Sequence, residues 1–399
     1  MENKLPEGWE WKKLGEIGEI CSGGTPSTRD ETNFDGNIPW VTPADLSNFE
    51  GIYIEKGKRN ISEKGLSSSS AKLLPKNSVI FSSRAPIGYV AIASNPLTTN
   101  QGFKNIILKE EILPEYIYYY LKKSKRLVES YASGTTFLEV SATRFSQIPV
   151  VIPPLETQQK IVSLLEKAEE TKKLRAQADE LTQKLLQSVF LEMFGDPVKN
   201  PHGFEIGEIG DLVIATQYGT SKKANEDGKG IPVLRMNNIT YEGNWDLSSL
   251  KYIELNQKEM EKYLVYKGEL LFNRTNSKEL VGKSAVYKEE KPMAFAGYLI
   301  KLITESPATS EFIAGHLNSK YGKMYLENMA KNIVGMANIN AQEVQRIPIL
   351  LPSREIMEKY SIIVKQIEKT KQSQKQSSLE INNLFDALMQ KAFIGELVS

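Results

Sequence analysis

The chain has 399 residues, 40% of them hydrophobic and 25% charged, with 50 basic and 49 acidic side chains for a net charge of +1. That length exceeds one ordinary core and points to two or more domains. A near-neutral balance excludes a strongly basic footprint, so nucleic-acid binding would have to use local patches. No apolar run approaches the roughly 18 to 20 residues of a membrane span. The single cysteine, Cys21, excludes an internal disulfide.

The opening stretch MENKLPEGWEW has no apolar signal-peptide core. With the lone cysteine, it fits a cytoplasmic protein. Residues 1–152 read as a strand-rich mixed domain. The β-prone runs NSVIFSSR (Asn77–Arg84), GYVAIAS (Gly88–Ser94) and KNIILK (Lys104–Lys109) alternate with clusters of Gly, Pro, Asn and Ser. One helix is expected over Pro114–Ala132.

Residues 153–196 form a long helix after Pro153 and Pro154, and Pro197 cannot continue it. Its expected seam is Ile161, Leu164, Ala168, Thr171, Leu174, Ala178, Leu181, Leu185 and Val189, at gaps of three and four. Residues 197–351 repeat the mixed pattern, with a strand in FAGYLIKLI (Phe295–Ile303) and a helix over Ser310–Ala330. Residues 352–399 form a second long helix behind Pro352. Its expected seam is Ile356, Tyr360, Ile363, Ile367, Thr370, Gln374, Ser377, Ile381, Leu384 and Leu388.

The two halves repeat in order. GWEWKKLGEI (Gly8–Ile17) matches GFEIGEIGDL (Gly203–Leu212), and NIPWVTPADL (Asn37–Leu46) matches GIPVLRMNNI (Gly230–Ile239). NSVIFSSR matches GELLFNRT (Gly268–Thr275), and PEYIYYYL (Pro114–Leu121) matches SEFIAGHL (Ser310–Leu317). GTTFLEV (Gly134–Val140) matches GMANINA (Gly335–Ala341), and QIPVVIPPLETQQ matches RIPILLPSREIME. Any one match carries no weight; a conserved order of six indicates duplication. At 1.5 Å per residue each helix of about 38 to 40 residues is roughly 55 to 60 Å long, and a lone helix with so narrow a stripe needs a partner. The fold class expected is α+β. Two tandem mixed domains are each followed by a long helix, and the helices pair as an antiparallel coiled coil with pseudo-two-fold symmetry.

No catalytic motif stands out. CSGGTPS (Cys21–Ser27) lacks the Lys-Ser/Thr ending of a phosphate-binding loop. The two histidines, His202 and His316, lie in different elements and do not make a metal site. No nucleophile has a histidine at credible spacing. The Asn-Pro-Pro-aromatic tetrapeptide of DNA amino-methyltransferases is absent; IPPL (Ile152–Leu155) lacks both the Asn and the aromatic.

The tandem domain-plus-helix pattern, with LPEGWEWKKLGEI, SGGTPS, IPWVTPADL, TTNQGF, IPVVIPPLETQQKIVSLLEKAEE and LLQSVFLEMFGD, resembles the specificity subunit of type I restriction-modification enzymes over essentially the whole chain. The resemblance implies two target recognition domains, each reading half of a bipartite double-stranded DNA site, and helices that set the spacer. It implies two modification (methyltransferase) subunits docked on the helices, which two restriction subunits can join. It also implies no catalytic centre and no cofactor in this chain, with S-adenosylmethionine bound by the methyltransferase partners. A rod of roughly 55 Å spans about 16 base pairs, so domains at its ends can reach successive major grooves. The rival readings are a stand-alone DNA-processing enzyme, tested by adding cofactor, and a non-DNA coiled-coil scaffold, which would show no salt-dependent DNA binding.

Polar and basic loop residues at matched places are the DNA-binding candidates, because Arg can bond guanine bidentately and Asn or Gln adenine. In the first domain they are Ser82, Ser83, Arg84, Thr98, Thr99, Asn100, Gln101, Thr135, Thr136, Thr143 and Arg144. In the second they are Arg235, Asn237, Asn238, Asn273, Arg274, Asn276, Lys278, Asn338 and Asn340, with Lys222 and Lys223 suited to phosphates. Tyr118, Tyr119 and Tyr120 are expected to pack rather than stack on bases.

Overall fold

The computed structural model describes residues 5–134, 138–277, 280–330 and 337–398. The chain divides into two compact units. One is Met1–Arg175 with Ser377–Ser399, and the other is Ala176–Gln376. Each unit combines one mixed α/β domain with a stretch of both long helices.

In the first unit a two-stranded ribbon pairs Glu10–Lys13 antiparallel with Pro149–Ile152, Trp11 opposite Val151. A five-stranded sheet has the order Gly18–Ser22, Phe103–Leu108, Val79–Ser83, Ile87–Ala93, Tyr53–Ile54. A three-stranded sheet joins Arg59–Ile61, Phe34–Val41 and Thr98–Thr99. The run Val79–Ser83 is buried at every position, because its sheet is covered on both faces. Val79 and Phe81 enter one apolar cluster, and Ile80 enters another. A strand buried on both sides reads as a continuous apolar run, without polar alternation.

The second unit repeats this plan. Glu205–Glu208 pairs antiparallel with Pro348–Leu351, Ile206 opposite Leu350. A four-stranded sheet runs Val213–Tyr218, Leu299–Thr304, Leu270–Asn273, Ser284–Val286. Leu270 and Phe272 face one cluster and Leu271 the other. A second four-stranded sheet joins Lys251–Ile253, Ile231–Leu234, Met293–Phe295 and Leu264–Val265.

The helix expected over Pro114–Ala132 is two helices, Pro114–Lys123 and Lys125–Ser130. Its counterpart is also two, Pro307–Asn318 and Lys320–Ala330. The breaks fall at Ser124 and Ser319. Ser319 has extended backbone, and its hydroxyl donates to the His316 carbonyl while accepting from the Gly322 amide. A serine that bonds backbone on both sides competes with continuation of a helix.

The long helices are Leu155–Phe194, 40 residues, and Arg354–Ala392, 39 residues. The first is anchored at its start by Gln158, which is buried, accepts from the Leu113 amide and donates to the carbonyls of Glu111 and Pro153. In the first unit Ile161, Val162 and Leu165 share a core with Phe385, Met389 and Ala392 of the second long helix and with Phe393 just beyond its end. There Lys172 Nζ lies 4.5 Å above the Phe385 ring. In the second unit Phe190 and Phe194 pack on Tyr360, with ring centroids 5.7 and 5.3 Å apart. Gln374 there donates to the Thr182 hydroxyl at 2.8 Å. Residue numbers rise along one helix as they fall along the other, so the helix stretches within this unit run antiparallel.

On the first helix Ile161, Ala168 and Val189 pack inward as expected, and the rest of the seam is displaced. Leu164, Leu174, Leu181 and Leu185 are exposed, Thr171 is exposed, and Leu165, Leu186 and Phe190 turn inward instead. On the second helix Tyr360 and Ile367 are buried as expected, whereas Thr370 and Leu384 face out and Val364, Phe385 and Met389 face in. Gln374 holds its expected place, bonded to Thr182, but the half-buried Lys172 and Thr182 on the first helix are polar, and apolar periodicity there points to the neighbouring, solvent-facing leucine row.

Matched acids tie each domain to its helix. Glu169 accepts from Tyr119 Oη and Lys122 Nζ, both at 2.8 Å. Glu368 receives Lys288 at 3.5 Å and Lys371 at 3.2 Å. The repeat position of Tyr119 is Gly315, which packs against Tyr360. A Cβ on Gly315 would lie 2.6 Å from the Tyr360 hydroxyl. Among the described residues no helix is long and apolar enough to cross a membrane.

Candidate nucleic-acid interface

The structure separates the polar candidates into buried scaffold and accessible groups. Ser82, Ser83, Thr98 and Thr99 are fully buried. Ser82 Oγ donates to the Pro86 carbonyl, Ser83 Oγ to Gly102, and Thr98 Oγ1 to Pro39, while Thr99 accepts from Asn105. These four are buried and hold strands and turns together, where accessible loop side chains were expected. The same holds for Asn273, buried and bonded to the Leu280 carbonyl, and for Asn238, buried and bonded to the carbonyls of Asp246 and Ser249. Asn340 caps the helix Ala341–Gln345 by accepting from the amides of Gln342 and Glu343. The short polar side chains that read bases also favour turns and caps, and their type alone does not separate the two roles.

The remaining candidates are accessible in varying degree. Asn100 is half-buried and accepts from the Gly102 amide; Gln101 is exposed and bonded to Thr25. Thr143 is exposed, and Arg144 donates to the carbonyls of Tyr131 and Ala132. Lys222 pairs with Glu259 and holds that carboxyl below its usual range, and Lys223 is exposed. Arg235 is half-buried, with Nη2 donating to the Ser249 carbonyl, beside an exposed Asn237. Thr135, Thr136 and Lys278 lie outside the described residues. Asn276 is placed by its backbone, opposite Ala337.

Two groupings form at matched strand ends. In the first unit the strand Val79–Ser83 leads to Arg84, whose backbone bridges that of Glu139. Arg84 Nη1 lies 3.3 Å from Glu139 Oε2, and the buried Lys104 places Nζ 3.3 Å from Glu139 Oε1. In the second unit the strand Leu270–Asn273 leads to Arg274, whose guanidinium lies 4.8 Å above the Tyr218 ring. Next to it Thr275 pairs with Asn338 and donates to its Oδ1 at 3.3 Å.

Lys104, Glu139, Tyr218 and Thr275 were not singled out from sequence. The usable signal was registration of the repeats. The Val140 amide donates to the Ser83 carbonyl, as the Ile339 amide does to Arg274. Glu139 therefore matches Asn338, two places from the alignment that the letters suggest.

Tyr118, Tyr119 and Tyr120 are buried. Tyr120 Oη donates to the Pro149 carbonyl at 2.6 Å. His316 holds the corresponding place in the second unit, fully buried, and desolvation lowers its pKa to about 4. Among the described residues no group of three or more His, Cys, Asp or Glu could hold a metal ion.

The family described as type I restriction modification DNA specificity domain matches twice, over residues 6–183 and 201–383. The MjaIX specificity subunit of a type I restriction enzyme from Methanocaldococcus jannaschii is 31% identical, covering 99% of this chain and 94% of its own. A chain from a structure on complex assembly and conformational transition of the type I R-M system superposes with a TM-score of 0.67 at 21% identity, covering 99% and 100%. The HsdS subunit from Thermoanaerobacter tengcongensis superposes at 0.51 with 22% identity, covering 99% of each chain. The structures carry the fold, and the doubled family match carries the kinship. This chain belongs to the type I restriction-modification specificity subunits, with two tandem DNA recognition domains.

Proposed function

We propose that each domain reads one half of a bipartite, asymmetric DNA site, that the paired helices fix the spacer, and that two methyltransferase subunits dock on the helices. The chain contributes no catalytic group in this reading, and S-adenosylmethionine is bound by the methyltransferase partners. Two restriction subunits can join the same assembly. One observation carries the reading: a single polypeptide holds two copies of one plan, down to the ribbon registers Trp11–Val151 and Ile206–Leu350. A duplicated protein suits the two-fold symmetry of the DNA backbone, and divergent loops let the halves read different bases.

Selection from a randomised duplex pool tests this. The chain should enrich two short conserved blocks at one fixed separation. One helical turn inserted in both long helices adds about 5.4 Å each. It should lengthen that separation by one or two base pairs, given about 3.4 Å per pair, and leave the blocks unchanged. Changed blocks at an unchanged separation would refute the ruler.

A further inference from the structure

We propose that Arg84 reads a guanine in the first half-site and that Glu139 is the positioning residue that aims it. This rests on the function proposed above and deepens it. Glu139 is fixed from several sides. Its amide and carbonyl both bond Ser133, at 3.0 Å each. One carboxylate oxygen faces Lys104 and the other faces Arg84, each at 3.3 Å. Lys104 is itself buried, with Nζ also 3.3 Å from Ser83 Oγ.

The guanidinium is thereby held by Nη1, and among the described residues Nε and Nη2 carry no other bond. The Arg84 side chain is 36% exposed. A guanidinium fork anchored at one nitrogen can present two donors toward guanine O6 and N7, and one already ordered loses less freedom on binding. A half-exposed ion pair contributes little to stability, so stability gives small reason to spend a buried lysine on it.

The second unit supplies an independent comparison. The same backbone bridge there joins Thr275 to Asn338. The strands leading to it are alike, with Val79 and Phe81 matched by buried Leu270 and Phe272. Scaffold is kept while the side-chain pair changes from cation and anion to hydroxyl and amide. Two recognition domains that read unlike half-sites must differ at such a place.

The test is selection from a randomised duplex pool with the full chain and three variants, thermal midpoints being recorded for each. Unmodified protein should prefer guanine at one position of one block. Arg84→Ala should reduce that preference about 5- to 150-fold at that position alone. Arg84→Lys keeps the charge without the planar fork, so it should retain affinity and lose most of the guanine preference. Glu139→Gln should lower the guanine preference while strengthening binding to unrelated sequences and its salt dependence, because one cation is released.

Should Arg84→Ala fail to fold, Arg84→Lys decides, and full guanine preference in it overturns the proposal. So does Glu139→Gln weakening all sequences equally, the result of a merely structural role. An unmodified chain that enriches no two-block site overturns the function proposed above instead.

Discussion

Phe393→Ala should detach the end of the second long helix from the first domain. Phe393 is 4% exposed and stands edge-on to Tyr116 and Tyr120, with centroids 5.3 Å away in both cases. Those tyrosines donate to the carbonyls of Val151 and Pro149, so the ring wedges the helix Pro114–Lys123 against the ribbon. Lys123 Nζ lies 5.3 Å above the same ring and bonds the Gln390 carbonyl. Truncating a buried Phe costs about 3–5 kcal/mol. Two edge-to-face pairs, about 0.5–1.5 kcal/mol each, place this site near the top of that range. For a unit of this size about 1 kcal/mol moves the midpoint by roughly 2–4 °C, so a fall on the order of 10 °C is expected by calorimetry. Hydrogen exchange should speed up over residues 114–123 and stay unchanged over residues 307–318. Phe393→Leu should recover more than half of the loss. A midpoint shift under about 2 °C, or equal loss of protection in both segments, would refute this account of the helix anchor.

His316 predicts a pH dependence. Its folded pKa of about 4 lies below the ordinary 6.5 because burial disfavours the cation. The unfolded chain therefore binds the proton more strongly between those values, and stability is full above pH 6.5 and lost as pH falls toward 4. That gap corresponds to about 3 kcal/mol, and denaturant titrations of His316→Phe against the parent should show a shallower acid-side loss in the variant; parallel profiles would contradict it. Separately, a fragment of residues 1–196 should dimerise and direct methylation to a palindrome of the first half-site. Phe194 occupies the repeat position of Phe393, so each copy can fill the other's tyrosine-lined recess. Light scattering showing a strict monomer, inactive with methyltransferase present, would count against the pseudo-symmetric scheme.

The duplication, the two long helices and the β-prone run that becomes Val79–Ser83 were legible in the amino-acid order. The apolar starts of Val79–Ser83 and Leu270–Asn273 mark strands locally, while the covering of both their faces is seen only in the fold. The prolines before Leu155 and Arg354 likewise mark helix starts without reference to the rest of the fold. Which helical row faces inward was not legible. Leu174 and Leu181 are as apolar as Leu165 and Leu186, and only the packed partner decides which of them leave water. The roles of the polar loop residues were hidden for a related reason. Ser83 and Thr98 have the side chains of base readers, yet tertiary folding commits their hydrogen bonds to the carbonyls of Gly102 and Pro39, 19 and 59 positions away. Conversely Glu139 acquires its place only when a segment 55 positions further along is laid beside Arg84. Composition and periodicity encode what a residue does with its near neighbours; contacts across that distance arise when the chain closes.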